Sequence, residues 1–87
     1  MQTTTSLITG ASSGLGAEYA RHLARHGDRL VLVARDHERL TDLATQLEHA
    51  GAPEVEVLSA DLATADGVEV VRARMTDPAH QIGRAHV

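Results

Sequence analysis

The sequence predicts an α/β domain of the order βαβαβα, built on a parallel sheet with its strands in the order 3-2-1. Three observations predict it. Strand-like and helix-like stretches alternate along the 87 residues, the pattern of parallel strands joined by right-handed helical crossovers. The run Arg29–Ala34, RLVLVA, is almost continuously apolar, as is a strand covered on both faces. Residues 8–16, ITGASSGLG, place three glycines between the first apolar stretch and an alanine-rich one, where a strand turns directly into a helix.

The elements follow in order. Residues Thr4–Thr9 carry Leu7 and Ile8 among threonines and stop at Gly10, a short strand ended by a turn residue. From about Ser13 to His26, the small or apolar Gly16, Ala20, Leu23 and Ala24 share one helical face with His22 opposite, and Gly27 supplies the stop. RLVLVA is the second, central strand. Asp36 can cap a second helix whose stripe is Leu40, Leu43, Ala44 and Leu47, and Gly51 followed by Pro53 ends it. Residues 54–60, EVEVLSA, form the third strand. A weaker helix runs from Ala65 to Met75 with Val68, Val71 and Met75 inward, and Gly67 costs it about 1 kcal/mol of propensity.

Bulk properties narrow the function. A chain of this length forms one small domain at most. Its net charge is −4 and all eight cations are arginines, scattered along the sequence, which argues against nucleic acid and against an anionic membrane surface. There is no cysteine, hence no disulfide framework or thiolate metal site, and no apolar run approaches the roughly 20 residues that span a bilayer. The first strand begins too close to Met1 for a signal peptide. A cytoplasmic location is expected.

The glycine turn reads as an anion cradle. The first amides of a helix lack intrahelical partners and carry the positive end of its dipole. A pyrophosphate satisfies both. Gly10 allows the tight turn, Gly14 lets a ligand approach the backbone, Gly16 allows close packing of the helix, and the hydroxyls of Ser12 and Ser13 can add hydrogen bonds. The triphosphatase loop requires Gly-Lys-Ser/Thr, and this chain has no lysine. The spacing is G-x-x-x-G-x-G, which differs from the common G-x-G-x-x-G dinucleotide fingerprint.

TGASSGLG, residues 9–16, resembles the Thr-Gly-x-x-x-Gly-x-Gly signature of the short-chain dehydrogenase/reductase family. The resemblance continues through LVLVARDHERL and VEVLSADL at that family's spacing and covers about residues 5–80. It implies that residues 1–81 are the amino-terminal part of a doubly wound, Rossmann-type NAD(P)-binding domain. It also implies an oxidoreductase that moves a hydride between NADP(H) and a carbonyl or alcohol carbon, within a homo-oligomeric parent.

The cofactor is read at the tip of the second strand. A carboxylate there accepts the ribose hydroxyls of NAD, whereas a 2′-phosphate needs positive charge. This chain has Ala34 followed by Arg35, and a guanidinium matches phosphate oxygens in bidentate geometry. NADP is therefore expected over NAD. By the resemblance, Arg35 meets the 2′-phosphate, Leu15 belongs to the cofactor loop, and Asp61 and Leu62 flank the adenine, with Asp61 taking its exocyclic amine. Many NADP-preferring relatives carry a basic residue just before the middle glycine, where this chain has Ser13. Asp36 reads as an N-cap alone.

Other eye-catching residues read as structural. His22 and His26 are four apart, a metal-ligand spacing, but no third ligand is in view and they read as solvated. Tyr19 is the only aromatic residue and is followed four positions later by Leu23, whereas the family pairs its catalytic tyrosine with a lysine at that spacing. By the resemblance, the catalytic serine, tyrosine and lysine follow a fourth strand ending Asn-Asn-Ala-Gly, and none is expected within this chain. IGRAHV, residues 82–87, resembles the translation of a widely used short-read sequencing adapter, so the native sequence is expected to end near His80 or Gln81. The first strand would then keep an open edge. A non-catalytic, redox-sensing NAD(P)-binding module is the alternative reading.

Overall fold

A computed structural model describes residues 4–12 and 14–86. The elements are β1 (Thr5–Thr9), α1 (Gly14–Arg25), β2 (Arg29–Ala34), α2 (His37–Ala50), β3 (Val55–Ser59), α3 (Ala65–Met75) and β4 (Arg84–His86). All strand pairs are parallel and the sheet order is β3-β2-β1-β4. β2 lies between β1 and β3, with Leu7 opposite Val31 and Leu32 opposite Val57. Successive side chains of a strand point to opposite faces, so Leu30 and Leu32 enter one core while Val31 and Val33 enter the other. That is why the central strand is apolar at nearly every position.

The first core is the larger. Ile8, Leu30 and Leu32 pack against Ala17, Ala20, Leu23 and Ala24 of α1 and Leu40, Leu43, Ala44 and Leu47 of α2. The α2 stripe is the one its sequence spacing predicts, and Asp36 caps the helix by accepting the backbone N–H of Arg39 at 3.1 Å. On α1, Ala17 joins the predicted face and Gly16 is only partly buried. Buried Asp28 closes the turn from α1 into β2: Ser6 Oγ donates to it at 3.2 Å, and His26 Nδ1 lies 3.4 Å away. His26 thus has a carboxylate partner, while His22 stacks on Tyr19 with ring centroids 6.5 Å apart.

On the opposite face α3 is the one covering helix among the described residues, and its orientation differs from the expected one. Val68 and Met75, expected inward, are 48% and 44% exposed, whereas Gly67 and Val71 are buried. Two contacts turn the helix, one with the turn before it and one with the sheet. A Cβ at position 67 would collide with the backbone of Asp61, so the glycine allows α3 to sit directly against the turn after β3. Arg74 Nε reaches Glu56 Oε2 at 2.8 Å, which draws residue 74 toward the sheet.

A second correction concerns the free edge. Residues 84–86 occupy the β1 edge expected to be open, with Ser6 opposite Arg84 and Ile8 opposite His86. Gly83 N–H donates to Thr5 O at 2.8 Å and partly buried Ile82 packs against the second core. Backbone pairing and one apolar anchor suffice, which is why a segment without strand-like patterning can take this position. No helix among the described residues is long and apolar enough to cross a membrane.

Candidate functional site

The site is built at the carboxyl ends of β1, β2 and β3. Three hydrogen bonds fasten these ends: Ala11 N–H to Val33 O at 3.2 Å, Ala60 N–H to Ala34 O at 3.0 Å, and Ser59 Oγ to Arg35 O at 3.1 Å. The chain therefore leaves each strand along a fixed path. Between these paths lies a cleft of about 500 Å³ that brings together Gly10, Ser12, Arg35, Asp61 and Leu62, with Ala34 at the strand tip. Arg39, absent from the residues singled out by sequence, also lines it.

The glycine turn forms one wall. Gly10 and Gly14 have φ of +64° and +58°, a left-handed conformation that residues with a Cβ rarely adopt. Nothing lies within 4 Å of a Cβ built at Gly14, so the space beside it is open. A Cβ at Gly16 would instead strike the carbonyl of Gly10, so this glycine seats the start of α1 against the turn. Leu15 and Gly16 line a different cleft, also of about 500 Å³, with Ile8, Thr9, Tyr19 and His22. Leu15 is 89% exposed there. Of the predicted loop residues, Gly14 lines neither cleft and Ser13 lies outside the described residues.

The turn after β3 is self-contained. Asp61 Oδ1 accepts the N–H of Ala63 at 2.9 Å, Thr64 Oγ1 donates to Asp61 O at 2.8 Å, and that same hydroxyl oxygen caps α3 by accepting Gly67 N–H at 3.0 Å. The contact of Gly67 with Asp61 therefore holds a cleft residue in place. In the sequence Gly67 stands out only as a propensity loss, because its close approach to Asp61 depends on how the turn before α3 folds back on the helix.

The cleft has a distinct charge arrangement. Arg35 is exposed and makes no ion pair among the described residues. Arg39 lies 3.5 Å from Asp36 Oδ2. Groups with clearly displaced pKa lie elsewhere. A hydrogen bond from Arg72 holds the Glu69 carboxyl below its usual range, and one from His80, aided by the Ala79 N–H, does the same for Asp77. Among the described residues no group of three metal-ligating side chains forms.

A parallel sheet with its cleft at the strand ends and a G-x-x-x-G-x-G turn beneath it has a match. The short chain dehydrogenase family model aligns with residues 4–83. The chain belongs to the short chain dehydrogenase family. Within that family it is similar to 11-beta-hydroxysteroid dehydrogenase B of Sesamum indicum, 44% identical over 62 residues, which are 71% of this chain and 17% of that protein. Among solved structures it superposes on the bulky-bulky ketone specific alcohol dehydrogenase of Comamonas testosteroni with a TM-score of 0.91, at 40% identity, covering 98% of this chain and 34% of that one. A short-chain dehydrogenase from Sphingobium yanoikuyae, solved in complex with NADPH, matches with a TM-score of 0.86 at 48% identity, covering 94% of this chain and 32% of that one. The chain thus spans about a third of these solved short-chain dehydrogenases, and less of its curated relatives.

Proposed function

We propose that residues 1–81 are the NADP-binding, amino-terminal part of a short-chain oxidoreductase that moves a hydride between NADP(H) and a carbonyl or alcohol substrate. The observation that carries this reading is the Arg35 guanidinium, without an ion-pair partner among the described residues, beside Ala34 in the strand-end cleft. An acid at the strand tip would repel a 2′-phosphate, and here alanine removes that repulsion while arginine supplies the matching donors. NADPH bound by a relative that is 48% identical supports the same assignment.

The residues present fit the cofactor. The open space beside Gly14 suits a pyrophosphate, and the first amides of α1 have no intrahelical acceptors. Arg35 fixes the 2′-phosphate, Asp61 and Leu62 bracket the adenine, and Ser12 adds a hydroxyl at the turn. Leu15 and Gly16 line the cleft on the other side of the turn, toward which the extended dinucleotide would continue. When bound, the nicotinamide ring supplies or accepts the hydride. The serine, tyrosine and lysine that complete the reaction are assigned to sequence outside this chain. Pairing of residues 84–86 with β1 is compatible with a non-native tail at 82–87, since a parallel backbone ladder asks little of side-chain identity.

Cofactor kinetics of the full-length protein test the assignment. NADPH should be preferred over NADH, and Arg35→Ala should erase the preference. A preference for NADH that Arg35→Ala leaves unchanged would overturn it.

A further inference from the structure

We propose that Arg39 is a second anchor for the 2′-phosphate and sets the strength of NADP over NAD discrimination together with Arg35. This inference rests on the NADP reading above and deepens it. One guanidinium compensates half the charge of a phosphate dianion, so a second cation in the same cleft would complete the neutralisation. Arg39 lies on the first turn of α2, in the wall of the same cleft as Arg35. It also lines an adjoining cavity of about 160 Å³ with Ser12 and Arg21. Ser12 and Arg39 therefore border both spaces; Asp36, Asp61 and Asp42 share their walls and Arg21 is paired with Glu18 at 3.3 Å, so Arg35 and Arg39 are the cations left to face a ligand in the strand-end cleft.

Asp36 makes this arrangement adjustable. Its Oδ1 accepts the Arg39 backbone N–H at 3.1 Å as the helix cap, while its Oδ2 holds the Arg39 guanidinium only at 3.5 Å. The Arg39 side chain is 67% exposed, so it can move to a phosphate without leaving a buried site. An exposed pair of this kind is weak, and a dianion offers the guanidinium more charge than one carboxylate does. The competing explanation is an ordinary surface pair between Arg39 and Asp36 with no ligand role. It predicts no effect on cofactor choice.

The test is calorimetric titration of the full-length protein with NADP⁺ and NAD⁺. Arg39→Ala keeps a strong helix former in α2, so the fold should persist. It should weaken NADP⁺ binding about tenfold, the order expected of one exposed charge-assisted contact, leave NAD⁺ binding unchanged, and flatten the salt dependence for NADP⁺. Asp36→Asn preserves the cap and releases Arg39, so it should tighten NADP⁺ binding, with a smaller gain in the Arg39→Ala background. If Arg35→Ala weakens NADP⁺ binding and Arg39→Ala does not, the second anchor is refuted while the NADP reading stands. If Arg39→Ala weakens both dinucleotides equally, Arg39 is structural and the inference fails. If neither arginine affects NADP⁺, both readings fall.

Discussion

At the scale of single residues, the glycine turn shows two kinds of requirement that one spacing conceals. Gly14 needs its left-handed backbone and leaves open space, whereas Gly16 needs the absence of a Cβ beside the Gly10 carbonyl. Their substitutions should therefore differ. Gly14→Ala should cost about 1–2 kcal/mol through its φ and also weaken dinucleotide binding, because the new methyl enters the space beside the turn. Gly16→Ala should cost about 1–3 kcal/mol through overpacking. Urea unfolding with parallel NADPH titration separates the two; Gly14→Ala without any loss of affinity would remove the cradle from the account. The spacing was legible in the sequence, as was Arg35 at the strand tip. Arg39 was not, because a residue four positions into DHERL gains meaning only when α2 brings it beside the cleft.

At the scale of elements, α2 was readable to its ends because local chemistry decides it. Asp36 caps it, Leu40, Leu43, Ala44 and Leu47 form its buried stripe, and Gly51 stops it. Asp36→Ala should cost about 1 kcal/mol, whereas Asp36→Asn should be close to neutral, as chemical denaturation can show. The length of α3 was equally readable, but its orientation was not. Its inward face is set by the close approach of Gly67 to Asp61 in the turn before the helix and by the long-range pairing of Arg74 with Glu56, neither of which helical spacing encodes. Helix propensity alone predicts that Gly67→Ala stabilises by about 1 kcal/mol. The packing against Asp61 reverses that sign, and the variant should melt at lower temperature than the parent. A higher melting temperature would show that α3 does not rest on this turn.

At the scale of the whole molecule, the sheet is unequally covered. α1 and α2 shield one face, while the other has α3, whose Val68, Val70 and Met75 are substantially exposed. The order 3-2-1 was legible from the βαβ alternation and the doubly apolar second strand. The fourth strand was not, because residues 84–86 carry no alternation and pair through their backbone. β3 and the short β4 form the sheet edges, and unpaired strand edges invite association. The 87-residue chain by itself should therefore self-associate and show no dehydrogenase activity. A sharp monomeric peak in sizing chromatography with a cooperative melt would show that its apolar surface is tolerated. The central claim, that the cleft at the ends of β1, β2 and β3 holds the adenosine 2′-phosphate half of NADP, is tested most directly by the crystal structure of the full-length protein with NADPH. The account predicts the Arg35 guanidinium within about 3 Å of a 2′-phosphate oxygen, with Asp61 and Leu62 against the adenine. An ordered cofactor whose 2′-phosphate lies away from Arg35, or whose adenosine lies outside this cleft, would contradict it.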